Sequence, residues 1–286
     1  MTPTYYIGVD GSGPSRAALR WGVRRAAEHL AGVVLVNTVD DEWGRVGRDA
    51  AAAAERQARD LLGQEAERAA ALHSGVPLST RIVHGGTAWE LTRLPRPDDL
   101  LIVGTHKTGF LRGRVLGSRS VQIAASAHCS VAIVPDSSLT SRRGVVVGVD
   151  GTEACLAAVR AGANEALRLD QDLVLVYAPA ARSGEPAAAF TDLMQTAVAL
   201  AQSSAPGVSV RRRIVHRDPA EALLDASIDA ALLILGTSAR AAGNSLIGMV
   251  THDVLMNINV PVLVTRDGHA NGPTVVSPDR VGAASQ

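Results

Sequence analysis

The chain repeats itself. Tyr6–Ser12 reads YIGVDGS and Val146–Thr152 reads VVGVDGT; Arg81–His84 recurs as Arg213–His216, and Leu101–Thr105 (LIVGT) as Leu233–Thr237 (LILGT). The VDG pair is offset by 140 positions (150 − 10), the two later pairs by 132 (213 − 81 and 236 − 104). Order is kept, and the shortening of the second copy falls between its first strand and the IVH strand. That is what duplication of one folding unit leaves behind. Two copies of one domain follow, and 286 residues agree with this at about 150 per domain.

Each copy alternates short apolar runs with helical stretches. In the first, the runs are Tyr5–Val9, Val33–Thr38, Ser79–His84, Leu100–Gly104 and Val131–Val134, with helices expected over Ser15–Leu30, Arg48–Leu72, Ala88–Leu94 and Ser118–Ala127. The second offers strands near Val145–Val149, Leu173–Tyr177, Val208–His216, Ala231–Leu235 and Val262–Thr265. Strand–helix alternation predicts βαβ units and parallel strands. The expected fold is therefore α/β: two tandem Rossmann-like, doubly wound domains, each with a five-stranded parallel sheet in the order 3-2-1-4-5. Domain 1 spans 1–135 and domain 2 spans 144–267, joined by a polar linker at 136–143. Residues 268–286 are rich in Gly, Ser, Pro and Asn and read as a disordered tail.

Hydrophobic residues make up 47% of the chain but aromatics only 3%, so the cores must be aliphatic, as parallel sheets covered on both faces usually are. A formal net charge of +0 argues against a broad nucleic-acid surface. The one dense basic run, Arg211–Arg213, reads as a solvated strand end. Cys129 and Cys155 sit at non-equivalent apolar positions and read as core thiols of a reducing compartment. No apolar run approaches the roughly 20 residues of a membrane span, and the N-terminus resembles no export signal, so a soluble cytoplasmic protein is expected.

In a doubly wound sheet, ligands bind beyond the carboxyl ends of the strands, where strand order reverses. With the order 3-2-1-4-5, strands one and four flank that crevice. They end in Asp10-Gly11-Ser12 and Val103-Gly104-Thr105, the segments both copies keep. Glycine lets a backbone approach a ligand, and a short acid can accept hydrogen bonds from a base or ribose. Asp10 and Asp150 can equally cap the helices that follow; the residues alone leave both readings open. Beyond strand four, Gly104–Ser118 is glycine-rich and runs into a helix whose free N-terminal amides suit phosphate. Gly117, Ser118, Arg119 and Ser120 stand at that end. The histidines lack the spacing of a zinc site. His84 and His216 read as structural, and no catalytic triad can be assembled from spacing.

Together, GVDGS with its following helix, VGT at the fourth strand and a Gly-Ser helix leading to the SVAIV strand at Ser130–Val134 resemble the universal stress protein family, in particular its tandem-domain, actinobacterial-like bacterial members. The resemblance covers about Tyr5–Pro135 and Val145–Arg266. It implies an adenine nucleotide, ATP with or without Mg²⁺, as a regulatory ligand. Asp10 and Val39 would lie beside adenine, and Gly104, Gly117, Ser118 and Ser120 would hold ribose and phosphates. Lys107 replaces the second glycine of the family's ATP motif, where it either crowds the ligand or reaches a phosphate as a point charge. A weaker second site would use Asp150, Gly151, Gly236, Gly248 and Thr251; there Ala239 takes the place of Lys107, the loop is one residue shorter and Met249 follows Gly248. Nothing in the chain argues for turnover, although slow hydrolysis stays open; the alternative is a degenerate scaffold that works through protein contacts. The apolar fifth strands of the two repeats should meet in an intramolecular pseudo-dimer, with room for a homodimer of whole chains.

Overall fold

A computed structural model describes residues 2–39, 48–105, 118–137, 142–179, 187–237 and 247–266. The first repeat runs β1 (Thr4–Gly8), α1 (Gly13–Glu28), β2 (Gly32–Val39), α2 (Arg48–Leu72), β3 (Leu78–His84), α3 (Thr87–Arg93), β4 (Leu100–Thr105), α4 (Ser118–Ser126) and β5 (Ser130–Pro135). The second runs β6 (Val145–Val149), α5 (Glu153–Arg168), β7 (Leu173–Tyr177), α6 (Ala187–Ser204), β8 (Val210–Ile214), α7 (Pro219–Ala226), β9 (Leu232–Gly236), α8 (Met249–Met256) and β10 (Val262–Thr265). Half of the linker, Ser138–Ser141, and all of the expected tail lie outside the described residues.

Within each repeat the strands follow the order 3-2-1-4-5 and are parallel. Each repeat thus has the expected five-stranded parallel sheet, and the two sheets are continuous. β5 pairs antiparallel with β10, so all ten strands form one sheet in the order β3-β2-β1-β4-β5-β10-β9-β6-β7-β8. Every residue of both joining strands is buried, and pairing satisfies backbone groups that would otherwise be open edges. Both cores cross this junction. One, beneath α1, α2, α5 and α6, contains Ile7, Leu35, Ile102, Val147 and Ile234; the other, beneath α3, α4, α7 and α8, contains Leu101, Ile133, Leu233 and Val262.

The lost residues can be placed. Val33 pairs with Leu78 and its counterpart Leu173 with Val210, so the crossover shortens by eight residues (45 against 37) between the second and third strands. Helix α2 has 25 residues and α6 has 18, which accounts for most of the difference. β8 is shorter than the expected Val208–His216. It is an outer strand with one paired neighbour, its four residues from Arg211 onward are exposed, and Arg211 Nη2 reaches Asp172 Oδ2 at 2.6 Å. Arginines on an edge discourage pairing with another chain. His84 and His216, expected to be structural, are both exposed.

Arg266, just after β10, is 7% exposed and crosses into the first repeat. Its Nη2 donates to the Ala124 and Ala125 carbonyls at 2.7 and 3.0 Å, and its backbone N–H donates to Ser130 Oγ at 3.3 Å. A cation thus closes the negative C-terminal end of α4. Arg266→Met keeps the aliphatic stem but loses bonds worth about 1.5–3 kcal/mol, so Tm should fall by about 5 °C in a circular-dichroism melt. An unchanged Tm would show that this cap contributes nothing.

Candidate functional site

The turn after β1 is built around a carboxylate. Val9 N donates to Val36 O at 2.8 Å and Asn37 Nδ2 donates to Val9 O at 2.7 Å, tying down the strand end. Asp10 is exposed, and its Oδ1 accepts the Ser12 N–H at 2.9 Å. Ser12 is the N-cap of α1, with Oγ accepting the Ser15 N–H at 3.3 Å. The second repeat repeats this chemistry. Asp150 Oδ1 accepts from Thr152 N at 3.0 Å and Thr152 Oγ1 at 2.7 Å, and Thr152 Oγ1 caps α5 by accepting the Cys155 N–H at 3.2 Å. Of the two readings left open by sequence, direct capping by the aspartates is ruled out, since Ser12 and Thr152 are the caps. The aspartates brace those caps from one turn earlier. Gly11 and Gly151 make the turn possible, with φ of 78° and 81°.

Burial pushes the Asp10 carboxyl up, but hydrogen bonds from the Ser12 hydroxyl and backbone outweigh it and leave Asp10 below its ordinary range. Asp10 is therefore ionised at neutral pH. It stands beside the reversal of strand order, because β1 pairs with β2 on one side and β4 on the other. Tyr177, the counterpart of Asn37 (37 + 140), packs instead against Phe190, with ring centroids 5.2 Å apart. Sequence reading missed Asn37; its signal was a lone amide near the end of an otherwise apolar run.

Gly104 and Gly236 close the fourth strands. A Cβ on Gly104 would overlap the Pro14 carbonyl group and approach Ser15 N to 2.7 Å; one on Gly236 would overlap the Ala154 carbonyl group and approach Cys155 N to 2.7 Å. Helix packing alone demands glycine at both positions. The first turns of α1 and α5 are thereby pulled onto the ends of β4 and β9, setting the caps beside the crevice.

The remaining expected residues divide. Val39 is half-buried at the end of β2, and its carbonyl accepts the Gly85 N–H at 3.0 Å. Val103 is 6% exposed and belongs to the core under α3 and α4. On α4, Arg119 is exposed and Ser120 is buried; Thr251 occupies the matching buried position on α8. Gly248 is the N-cap of α8 and makes no side-chain cap bond, while Met249 is 84% exposed beside it. Lys107 and Gly117 lie outside the described residues, as do the Ser118 side chain and Ala239. Two cavities, of about 400 and 750 Å³, lie elsewhere: at the amino ends of β6 to β8, and along α1 beside the end of α5.

Two doubly wound α/β repeats, each with a capped acidic turn at its strand-order reversal, define the class. The pattern of the universal stress protein family matches residues 4–135 and again 141–266, so the chain belongs to that family. A universal stress protein of Mycobacterium tuberculosis H37Rv is 28% identical over 288 residues, covering 91% of this chain and 95% of its own. One from Mycolicibacterium smegmatis is likewise 28% identical over 289 residues, with 91% and 96% covered. The crystal structure of a universal stress protein from Archaeoglobus fulgidus shares the fold over 92% of this chain and 96% of its own, with TM-score 0.71 at 16% identity.

Proposed function

We propose that the chain is a regulatory adenine-nucleotide-binding protein of the universal stress type, with ATP as the ligand, with or without Mg²⁺. The observation that carries the reading is the exposed, ionised Asp10, held by the capped turn at the strand-order reversal. A carboxylate there suits the donors of a ribose or an adenine amino group. The Gly117-Ser118 helix start suits phosphate, and Lys107 suits a terminal phosphate. Catalytic turnover forms no part of the proposal. Among the described residues no three His, Cys, Asp or Glu side chains gather as a metal group, and no helix is long and apolar enough to cross a membrane. Cytoplasmic action without nucleic acid, on a folded pair of repeats, completes the reading.

A second reading has a specific observation in its favour at repeat two only. Met249 presents an exposed apolar side chain where repeat one has Ser118, as a protein-contact scaffold would. Freshly purified protein should release adenine nucleotide on heat denaturation, identified by chromatography and mass spectrometry. Protein that releases none, and that fails to bind added ATP in calorimetry, would move the assignment to the scaffold.

A further inference from the structure

The two repeats meet about a local two-fold axis. Leu101 pairs with Val131 and its counterpart Leu233 with Val262, making Val131, Ala132 and Ile133 the equivalents of Val262, Leu263 and Val264. Across the junction the partners are Val262 with Ile133, Leu263 with Ala132 and Val264 with Val131. The axis therefore passes between Ala132 and Leu263, which are equivalent positions. A residue on this axis faces its own counterpart.

Above the junction α1 meets α5, and the offset of 140 carries Gly13–Glu28 onto Glu153–Arg168. Arg25 Nη1 contacts Glu165 Oε1 at 2.5 Å, and Arg168 Nη1 contacts Glu28 Oε2 at 2.6 Å. Both pairs join equivalent positions (165 − 25 = 140 and 168 − 28 = 140), with the charges exchanged. Side-chain exposure is 4% for Glu165, 12% for Arg25, 23% for Arg168 and 34% for Glu28, and all four border the larger cavity along α1, so the first pair is the buried one and the second is partly hydrated. Arg168 also bonds Glu165, His29 Nε2 lies 3.4 Å from Glu165 Oε2, and Arg25 rests on the Trp21 ring at 5.3 Å. Burial pushes the Glu165 carboxyl up; the Arg25 charge, with His29 and Arg168, overrides this and holds it well below the usual range.

We propose that the α1–α5 seam is an interaction surface keyed for an unlike repeat, so that a first repeat accepts a second repeat of this chain and rejects another first repeat, whether offered in the same molecule or by a second copy. Between two first repeats the same axis would set Arg25 against Arg25 and Glu28 against Glu28. Like charges brought together at the largely buried Arg25–Glu165 position are unfavourable, and at the partly hydrated Glu28–Arg168 position less so, whereas each exchanged pair is neutral and mutually bonded. The strand junction is asymmetric in size and capping, with Ala132 opposite Leu263 and Arg266 reaching α4, but its opposed strand residues, Val131, Ala132 and Ile133 against Val264, Leu263 and Val262, carry no charge to repel a like repeat. The electrostatic part of the selectivity is carried by four side chains on two helices. Duplication relaxed the symmetry of the seam and allowed opposite charges to settle on equivalent positions. The keyed seam favours closure of each chain on itself over cross-linking through repeats of the same kind.

The test uses the full chain. E165R/R168E gives α5 the charges of α1 and makes like face like; R25E/E28R/E165R/R168E reverses all four and restores complementarity. Thermal unfolding should show the double variant melting about 10 °C below the parent, and the quadruple variant regaining most of that loss. A double variant with the parent's Tm would overturn the proposal. A quadruple variant no more stable than the double, or equally unable to fold, would overturn it too, because complementarity alone would then not restore the pair.

Discussion

Gly104→Ala should be among the most damaging single-methyl changes in this protein. The added Cβ would overlap the Pro14 carbonyl and reach 2.7 Å from Ser15 N, and both obstacles are backbone atoms of the first turn of α1. A side chain could rotate away; a capped helix pressed on a buried strand has to move as a whole. Overpacking of this kind costs about 3 kcal/mol, which corresponds to a Tm lowered by about 10 °C. Gly236→Ala should behave alike, since its Cβ would overlap the Ala154 carbonyl. Gly248→Ala is the control: among the described residues, chain neighbours aside, no heavy atom lies within 4 Å of its Cβ and its φ is −67°, so Tm should fall by no more than a few degrees, the cost of replacing glycine at an N-cap. Equal melting temperatures for Gly104→Ala, Gly248→Ala and the parent would refute the packing account of the strand-end glycine that both repeats carry.

Nucleotide affinity should depend far more on Asp10 than on Asp150. Both carboxylates brace a helix cap with nearly the same bond, 2.9 and 3.0 Å. The two proposed sites differ at the helix start assigned to phosphate, where repeat one has Gly117-Ser118 and Lys107 in its sequence and repeat two has Gly248 with the exposed Met249. Asp10→Ala removes a charge-assisted acceptor worth about 1.5–3 kcal/mol, so ATP affinity should fall roughly 10- to 150-fold in calorimetry. Asp150→Ala should change it by less than about threefold. The melts of both variants, run alongside, separate lost binding from a loosened cap. The reverse ranking, with Asp150→Ala the damaging change, would make repeat two the working site.

Much of this protein could be read from its residues, and the reasons are local. Duplicated GVDG and LGT-type words recur at offsets of 140 and 132, and each marks a strand end where side-chain freedom is narrow. Gly11 and Gly151 need positive φ, Ser12 and Thr152 must cap, and Gly104 and Gly236 must admit a helix backbone. Such demands act on single positions, so they are written there. The expected helix start at Ser15 was late by two residues because Ser12 caps and Pro14 occupies the first turn, where a missing N–H costs nothing.

Other features depended on which surfaces meet. Apolar fifth strands announced burial, yet their composition could not specify the register that sets Ala132 opposite Leu263. Asn37 drew no notice because its importance comes from the Val9 carbonyl, 28 positions away in the chain. Nothing in the sequence sets Arg25, Glu28, Glu165 and Arg168 apart from other charges on helices. Only the two-fold packing of α1 on α5 makes each the partner of its own counterpart. Sequence by itself determined the repeat, the order of its elements and the acidic turn, since these follow from periodicity and from backbone conformations that few residues tolerate. Tertiary structure decided the single ten-stranded sheet and the exchanged charges at its centre, because those are long-range contacts whose energy exists only once two faces exclude water together.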